Sequence, residues 1–295
     1  MRARDFLILV LVCLVWAFSN VLGKIAVDRW DIPPIFFTAA RFVLVALCTL
    51  PWLRPVPRPL WRILLIGLCM GGGNFALLYM GLQGASPSAA AVVLQLAVPF
   101  TALLAVLMLK ETIRWRRGLG IALTMAGVLL VSWNPEGLGL APALWFVVGA
   151  AFSAALGSVL MKQMQAVPPL RFQAWVGLIS AFVLSALTLM FESGQVETAM
   201  AAGWRFIGAV VFMALIVSIC GHTAFYGLIK RYEANLLAPL TLMTPLATIG
   251  FGVWLTGDQL SLRMIIGAAI ALGGVLIVAI RPKPTAELML NRETP

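Results

Sequence analysis

Ala17-Phe18-Ser19-Asn20-Val21-Leu22-Gly23, in the first apolar run of the chain, reappears in the sixth as Ala151-Phe152-Ser153-Ala154-Ala155-Leu156-Gly157. The match is followed, in the same order, by others. Pro33-Pro34-Ile35-Phe36-Phe37 returns as Pro168-Pro169-Leu170-Arg171-Phe172. Gly81-Leu82 and Pro99 return as Gly227-Leu228 and Pro245, and Glu111, Gly120 and Gly127 return one residue later as Asp258, Gly267 and Gly274. One block alone is weak. A shared order across the chain marks an internal repeat, which sets the architecture before any single element is read.

Composition identifies the solvent of the repeat. Of 295 residues 62% are hydrophobic and 11% charged, against roughly 45–50% and 25% in soluble domains. Such a chain has too little polar surface for water, and lipid is its expected partner. A helix spans the hydrocarbon core with about 20 apolar residues. Charge, proline and glycine divide the chain into runs at 6–27, 34–53, 60–82, 87–109, 116–133, 141–163, 169–191, 204–229, 234–256 and 262–281. The runs are continuously apolar without two-residue alternation, which excludes barrel strands. The expected fold is an all-α membrane protein of ten transmembrane helices. The first run follows Arg2 and Arg4 but is too long for a signal-peptide core and lacks a cleavage site, so it reads as a retained helix.

With the N-terminus inside, sixteen of the 21 Lys and Arg residues fall on the cytoplasmic side. Only Lys24, Arg29, Arg205 and Arg263 fall outside, and Arg41 lies within the second run. This bias predicts cytoplasmic termini. Five helices per repeat is an odd number, so the two repeats enter the membrane from opposite sides. The loop with Arg54, Arg58 and Arg62 corresponds to one with Glu192, Glu197 and Arg205, a charge divergence that inversion demands. The expected division is a first five-helix repeat at 1–135, a second, inverted one at 136–281 and a polar cytoplasmic tail at 282–295. Inverted repeats can exchange conformations around a midplane site, which is how many secondary transporters achieve alternating access.

These features resemble the EamA-like family of the drug/metabolite transporter superfamily over nearly the whole chain. The resemblance rests on Val15-Trp16-Ala17-Phe18-Ser19-Asn20, Ala40-Arg41-Phe42, and Pro99 with Glu111 and Gly120 in the first half. In the second it rests on Arg231-Tyr232-Glu233, Ala238-Pro239-Leu240, Pro245, and Asp258 with Gly267. It implies a multi-pass protein of the bacterial inner membrane that exports amino acids and related metabolites. Val92 to Gln95 and Arg231 to Leu240 look most like exporters of cysteine-pathway metabolites, with aromatic amino-acid exporters as close relatives. The alternatives are export of another small metabolite or toxic compound, and a membrane scaffold without transport.

Polar groups inside the apolar runs point to a path. Trp16, Asn20 and Lys24 share one helix face, as do Ser218, His222 and Tyr226. Asn74 and Tyr79 follow Gly71-Gly72-Gly73, Gln95 precedes Pro99, and Thr241 precedes Pro245. The expected substrate-binding set is Trp16, Asn20, Asn74, Tyr79, Gln95, His222, Tyr226 and Thr241. The rival reading makes these residues ties between helices, with bonds worth about 0.6 to 2 kcal/mol each. Pro99 and Pro245 are expected to break their helices and to serve gating. Arg41 either attracts a carboxylate or satisfies backbone carbonyls. Gly120, Gly127, Gly267 and Gly274 pack helices closely, within the chain or at a homodimer surface, so a monomer and a homodimer both stay open. Glu111 and Asp258 are expected to cap the helices that follow them.

The +10 net charge is scattered between apolar runs, unlike a nucleic-acid face. Cys13, Cys48, Cys69 and Cys220 lack metal or disulfide spacing. No GxxxxGK[ST] motif is present. The expected partners are therefore a small-molecule substrate and membrane lipid, with no metal, cofactor or nucleic acid and no enzymatic chemistry. With no Asp or Glu deep in a run, the sole histidine, His222, is the one near-neutral titrating candidate for carrying a proton. Facilitated or exchange export is the preferred mode.

Overall fold

The computed structural model describes residues 1–134, 139–164, 167–232 and 234–280. In lipid a backbone must satisfy its own polar groups, and the chain does so with helices. These are α1 (Ala3–Arg29), α2 (Pro34–Leu53), α3 (Leu60–Leu82), α4 (Pro87–Leu109), α5 (Trp115–Ser132), α6 (Pro142–Lys162) and α7 (Pro169–Phe191). Then come α8, spanning Trp204–Leu228 with last turns running to Arg231, and α9, in two pieces at Ala234–Leu240 and Met243–Thr256. The series ends with α10 (Leu262–Ala279). A short helix, Gln195–Ala202, links α7 to α8, and a two-residue antiparallel pair, Trp133–Asn134 with Gly139–Leu140, joins the halves.

Proline opens four of these helices. Pro34, Pro87, Pro142 and Pro169 each stand at the first helical position, where a missing N–H costs nothing. The left-handed Lys110 (φ 54°) closes α4, and left-handed Gly257 (φ 73°) ends α9.

Among the described residues, eight helices are long and apolar enough to cross a membrane, and Met243–Thr256 is a shorter apolar helix. Two sequence-derived runs differ in detail. The first turn of α5 carries Arg116 and Arg117, which shortens its apolar stretch. The run read as 234–256 is interrupted at Thr241 and Leu242, a turn between the two pieces of α9.

Two repeat-equivalent pairs of helices, α5 with α10 and α2 with α7, pack antiparallel. In α5 and α10 a Cβ on Gly120 would lie 2.7 Å from Gly274 O, and one on Gly127 would lie 2.5 Å from Gly267 O. The reciprocal approaches at Gly274 and Gly267 are 2.6 and 2.8 Å. Backbones this close exclude any side chain, and Thr124 Oγ1 uses the approach to donate to Gly120 O at 2.9 Å and Ala271 O at 3.4 Å. Of the two readings the sequence leaves open, these glycines serve contact within the chain.

The α2–α7 pair is built alike. Glu192, at the end of α7, accepts the Ile35 and Phe36 N–H groups at 2.8 Å each, capping the start of α2. At the other end Trp175 Nε1 donates to Leu53 O at 3.0 Å. The acidic group in the loop after α7 thus satisfies orphan amides that lipid cannot.

Asp258 corrects an expectation. Its carboxylate accepts from Ser88 N–H at 3.0 Å, from Ser88 Oγ and from Thr256 Oγ1 at 2.8 Å. It therefore caps α4, across the repeat boundary, while Ser261 caps α10 through Met264 N–H. Glu111 pairs with Arg117 at 3.4 Å and with Lys162 at 3.7 Å.

Gly127→Val, which must push the α5 and α10 backbones apart, is expected to cost about 1–3 kcal/mol and lower the melting temperature in detergent. Gly273→Ala, with nothing within 4 Å of its Cβ, is the matched control and leaves melting unchanged. Asp258→Ala strands the α4 amide and two hydroxyls, and is expected to destabilise by about 1–3 kcal/mol. Unchanged melting there would show that water, and not the carboxylate, satisfies the start of α4.

Candidate substrate cavity

The third helix of each half widens at a repeat-equivalent place. Leu68–Gly73 in α3 and Phe212–Gly221 in α8 are π-helical, with the wider turn that recurs at functional sites. Such a turn frees carbonyls, and side chains collect them. Ser218 Oγ donates to Met213 O at 2.8 Å, and His222 Nδ1 lies 3.0 Å from Val217 O. In α6, Ser153 Oγ donates to Cys69 O at 2.8 Å, while Asn74 Nδ2 reaches Ala150 O at 2.8 Å. Gly71 lets α3 approach Ser180 and Val176 of α7.

Between these elements lies a cavity of about 190 Å³. Its polar wall is Arg41 from α2, Asn74 from α3, Gln173 from α7, and His222 and Tyr226 from α8. Its apolar wall includes Phe42, Phe75, Phe172 and Val176. Sites for drug-sized ligands run about 300–1,000 Å³, so this volume suits a small metabolite. Both halves contribute.

The chemistry of the wall is mixed. A carbonyl can only accept, so the contact to Val217 O places the proton of neutral His222 on Nδ1 and leaves Nε2 as an acceptor. Gln173 is almost fully buried, and Asn74 keeps its oxygen free to accept beyond its bond to Ala150. Arg41 is 1% exposed and always cationic.

Behind His222 stands Trp16, with ring centroids 5.1 Å apart, and Trp16 also meets Phe225 edge-on at 5.0 Å. Gly221 makes room for it, since a Cβ there would lie 3.2 Å from Trp16 Nε1. Tyr226 packs edge-on against Phe172 at 5.5 Å.

Of the expected substrate-binding set, Asn74, His222 and Tyr226 line this cavity and Trp16 supports it. The others lie outside its lining. Tyr79 is buried against Gly23, its hydroxyl 4.0 Å from Met213 Sδ. Gln95 Nε2 bonds within its own helix to Ala91 O at 3.3 Å, in the 3₁₀ turn Leu94–Leu96. Asn20, on α1, is half-buried. Thr241 sits in the turn that divides α9, its N–H on Leu237 O at 3.0 Å. Pro99 and Pro245 are each the third residue after a helix break, in Ala97–Leu109 and Met243–Phe251. Lys24, expected at the outer interface, donates to Leu82 O at 2.7 Å and pairs with Asp28 at 2.9 Å. Gln173 was missed. The signal for it was an amide within an apolar run, one residue past the Pro168–Phe172 repeat block.

This geometry belongs to the transporters of the drug/metabolite superfamily, multi-pass proteins of the bacterial inner membrane. The family model described as the EamA-like transporter family matches residues 5–133 and again 141–280, and the chain belongs to that family. It is similar to a "probable amino-acid metabolite efflux pump" of Salmonella typhimurium, 27% identical over 287 residues, with 94% of this chain and 95% of the relative covered. A protein of the same description from Escherichia coli is 25% identical over the same shares. An uncharacterized inner membrane transporter of Escherichia coli, YedA, is 25% identical over 84% of this chain and 81% of its own length. A solved crystal structure covers 100% of the chain with a TM-score of 0.65 at 21% identity, a likeness of fold alone.

In a variant with the four cysteines replaced, a cysteine at position 154, beside the cavity, is expected to react with a small membrane-permeant thiol reagent. A cysteine at the adjacent Ala155, 1% exposed, is expected to stay unlabelled. Mass spectrometry reads both, and the reverse order would mean the cavity is closed to small solutes.

Proposed function

We propose that the protein exports amino acids, aromatic and other small neutral ones, and related metabolites by alternating access around this cavity. The observation that carries the reading is the cavity itself: small, polar on one side and aromatic on the other, and walled by both halves of a repeat. In this reading the chain crosses the membrane ten times with both termini in the cytoplasm, and halves 1–135 and 136–281 are inverted copies. The antiparallel pairing of α2 with α7 and of α5 with α10 supports the inversion, because equivalent helices run oppositely in inverted repeats. The descriptions of the two efflux-pump relatives support the cargo.

Asn74, Gln173, His222 and Tyr226 contact the substrate, with Trp16 holding the His222 ring. The breaks before Pro99 and Pro245 act as hinges, since a helix already interrupted bends without losing further backbone bonds. Two polar clusters tie the ends of α1 to its neighbours. At one, Tyr232 donates to Asp5 at 2.7 Å; at the other, Lys24 and Arg29 hold the carbonyls of Leu82 and Leu255. Alternate opening of these ends is the expected motion, driven by the metabolite gradient or by exchange.

Purified protein in liposomes preloaded with unlabelled amino acids is expected to show saturable counterflow of labelled ones. Asn74→Ala and His222→Ala are expected to reduce it with folding intact. Absence of counterflow across an amino-acid panel, with saturable flux of an unrelated solute, would transfer the function to that solute.

A further inference from the structure

We infer that Arg41 is the carboxylate anchor of the cavity, so that the cargo carries a free carboxylate and purely cationic solutes are excluded. The inference rests on the transporter reading above and narrows its substrate class.

A guanidinium at membrane depth costs about 2.5–3.5 kcal/mol on insertion scales and does not neutralise. Such a group is expected to have a counter-ion. Lys24, toward the end of α1, has one in Asp28. Arg41 has none among the described residues. Most of their carboxylates are engaged elsewhere: Asp5 with Tyr232 and Arg231, Glu111 with Arg117, Glu192 with the start of α2, Asp258 with Ser88.

What the protein supplies to Arg41 holds the side chain in place without cancelling its charge. Nε donates to Ser218 Oγ at 2.8 Å. The cation lies 4.4 Å from the Phe75 ring centroid and 5.1 Å from that of Phe42. These contacts fix the guanidinium and shield its faces, but Nη2 is buried with no hydrogen-bond partner. With Nε occupied and the faces covered, the outer fork is the edge left for an oxyanion. Its two parallel N–H groups match a carboxylate in bidentate geometry.

The repeat sharpens the point. Pro33 aligns with Pro168, which sets Arg41 opposite Val176, and both residues line the cavity. Equivalent positions thus hold a cation in one half and an aliphatic group in the other. A structural role shared by the repeats would give the same chemistry twice. Around the fork, Asn74, Gln173 and His222 offer acceptors for an ammonium group, so the wall complements a zwitterion and repels a lone cation.

The test uses full-length protein in liposomes and one amino acid that the wild type carries. Its counterflow is challenged with the free acid, the amide, the methyl ester and the decarboxylated amine. Only compounds with a free carboxylate are expected to compete. Loss of a charge-assisted pair worth about 1.5–3 kcal/mol predicts a roughly 10- to 100-fold drop in counterflow for Arg41→Met, with acid and amide no longer distinguished. Arg41→Lys keeps the charge without the fork and is expected to fall between. Because the variant removes an unpaired buried cation, Arg41→Met melts no lower than the wild type.

Equal competition by amide and acid in the wild type overturns the inference even if no variant folds. So does wild-type flux of acids by Arg41→Met. Either result leaves the transporter reading standing. Absence of saturable flux for every solute tried removes that reading, and the inference with it.

Discussion

Lipid offers no hydrogen bonds, and that constraint organises the rest of the molecule. Wherever the helical ladder is regular the side chains are free to be apolar, and polar exceptions such as Arg41 and Gln173 are buried. Wherever it departs from α geometry, polar side chains must stand in for the lost partners. Apart from the 3₁₀ end of α2 at Leu50–Leu53, the departures fall in α3, α4, α8 and α9, in the third and fourth helices of each half. Their repairs are Ser153, Ser218, His222 and Gln95. One of them, His222, also lines the cavity. In α8 the group that repairs the backbone is thus also part of the cavity wall, which Arg41 and Gln173 reach from regular helix.

The duplication explains why so few residues suffice. Pairing a helix with its own repeat partner solves one packing problem for two elements. Gly120 fits Gly274 as Gly127 fits Gly267, and a single small-residue pattern written twice gives a self-complementary seam. The turns that close α4 and α9 share a left-handed residue, lysine in one half and glycine in the other. Where the halves diverge, the divergence is chemical. Glu192 and Asp258 cap helices on one side, while arginines crowd the equivalent loops of the other half. Arg41 faces Val176 across the equivalence.

Most of the fold could be read from the sequence because lipid imposes a long, simple signal. An apolar run of about 20 residues with proline at its start has few other outcomes. Pro245 announced an interruption of α9 but not its place, the turn at Thr241 and Leu242, over which hydropathy averages. The capping partner of Asp258 was not legible. Local rules assign an acid to the helix just ahead of it, whereas the orphan amide it serves, at Ser88, is 170 positions away. For the cavity, polar residues in apolar runs were the useful signal, and they named Asn74, His222 and Tyr226. Convergence of α2, α3, α7 and α8 was not written in any one run. Arg41 was visible as a charge out of place but without a direction, and Gln173, near the start of α7, resembled an interfacial residue.

The position of Arg41 also bears on energetics. A buried cation without a counter-ion is a standing cost in the empty protein, and truncating a partner of such a group is among the larger effects known in protein interiors. A ligand that supplies the missing charge removes that cost. Its binding energy is thus held in one contact that joins the halves, since the guanidinium comes from α2 and the hydroxyl fixing it from α8. A carrier that is strained when empty and relaxed when loaded changes conformation more readily with cargo than without. Under the proposed role of Arg41, that asymmetry would favour exchange over leak without a titrating carboxylate in the membrane.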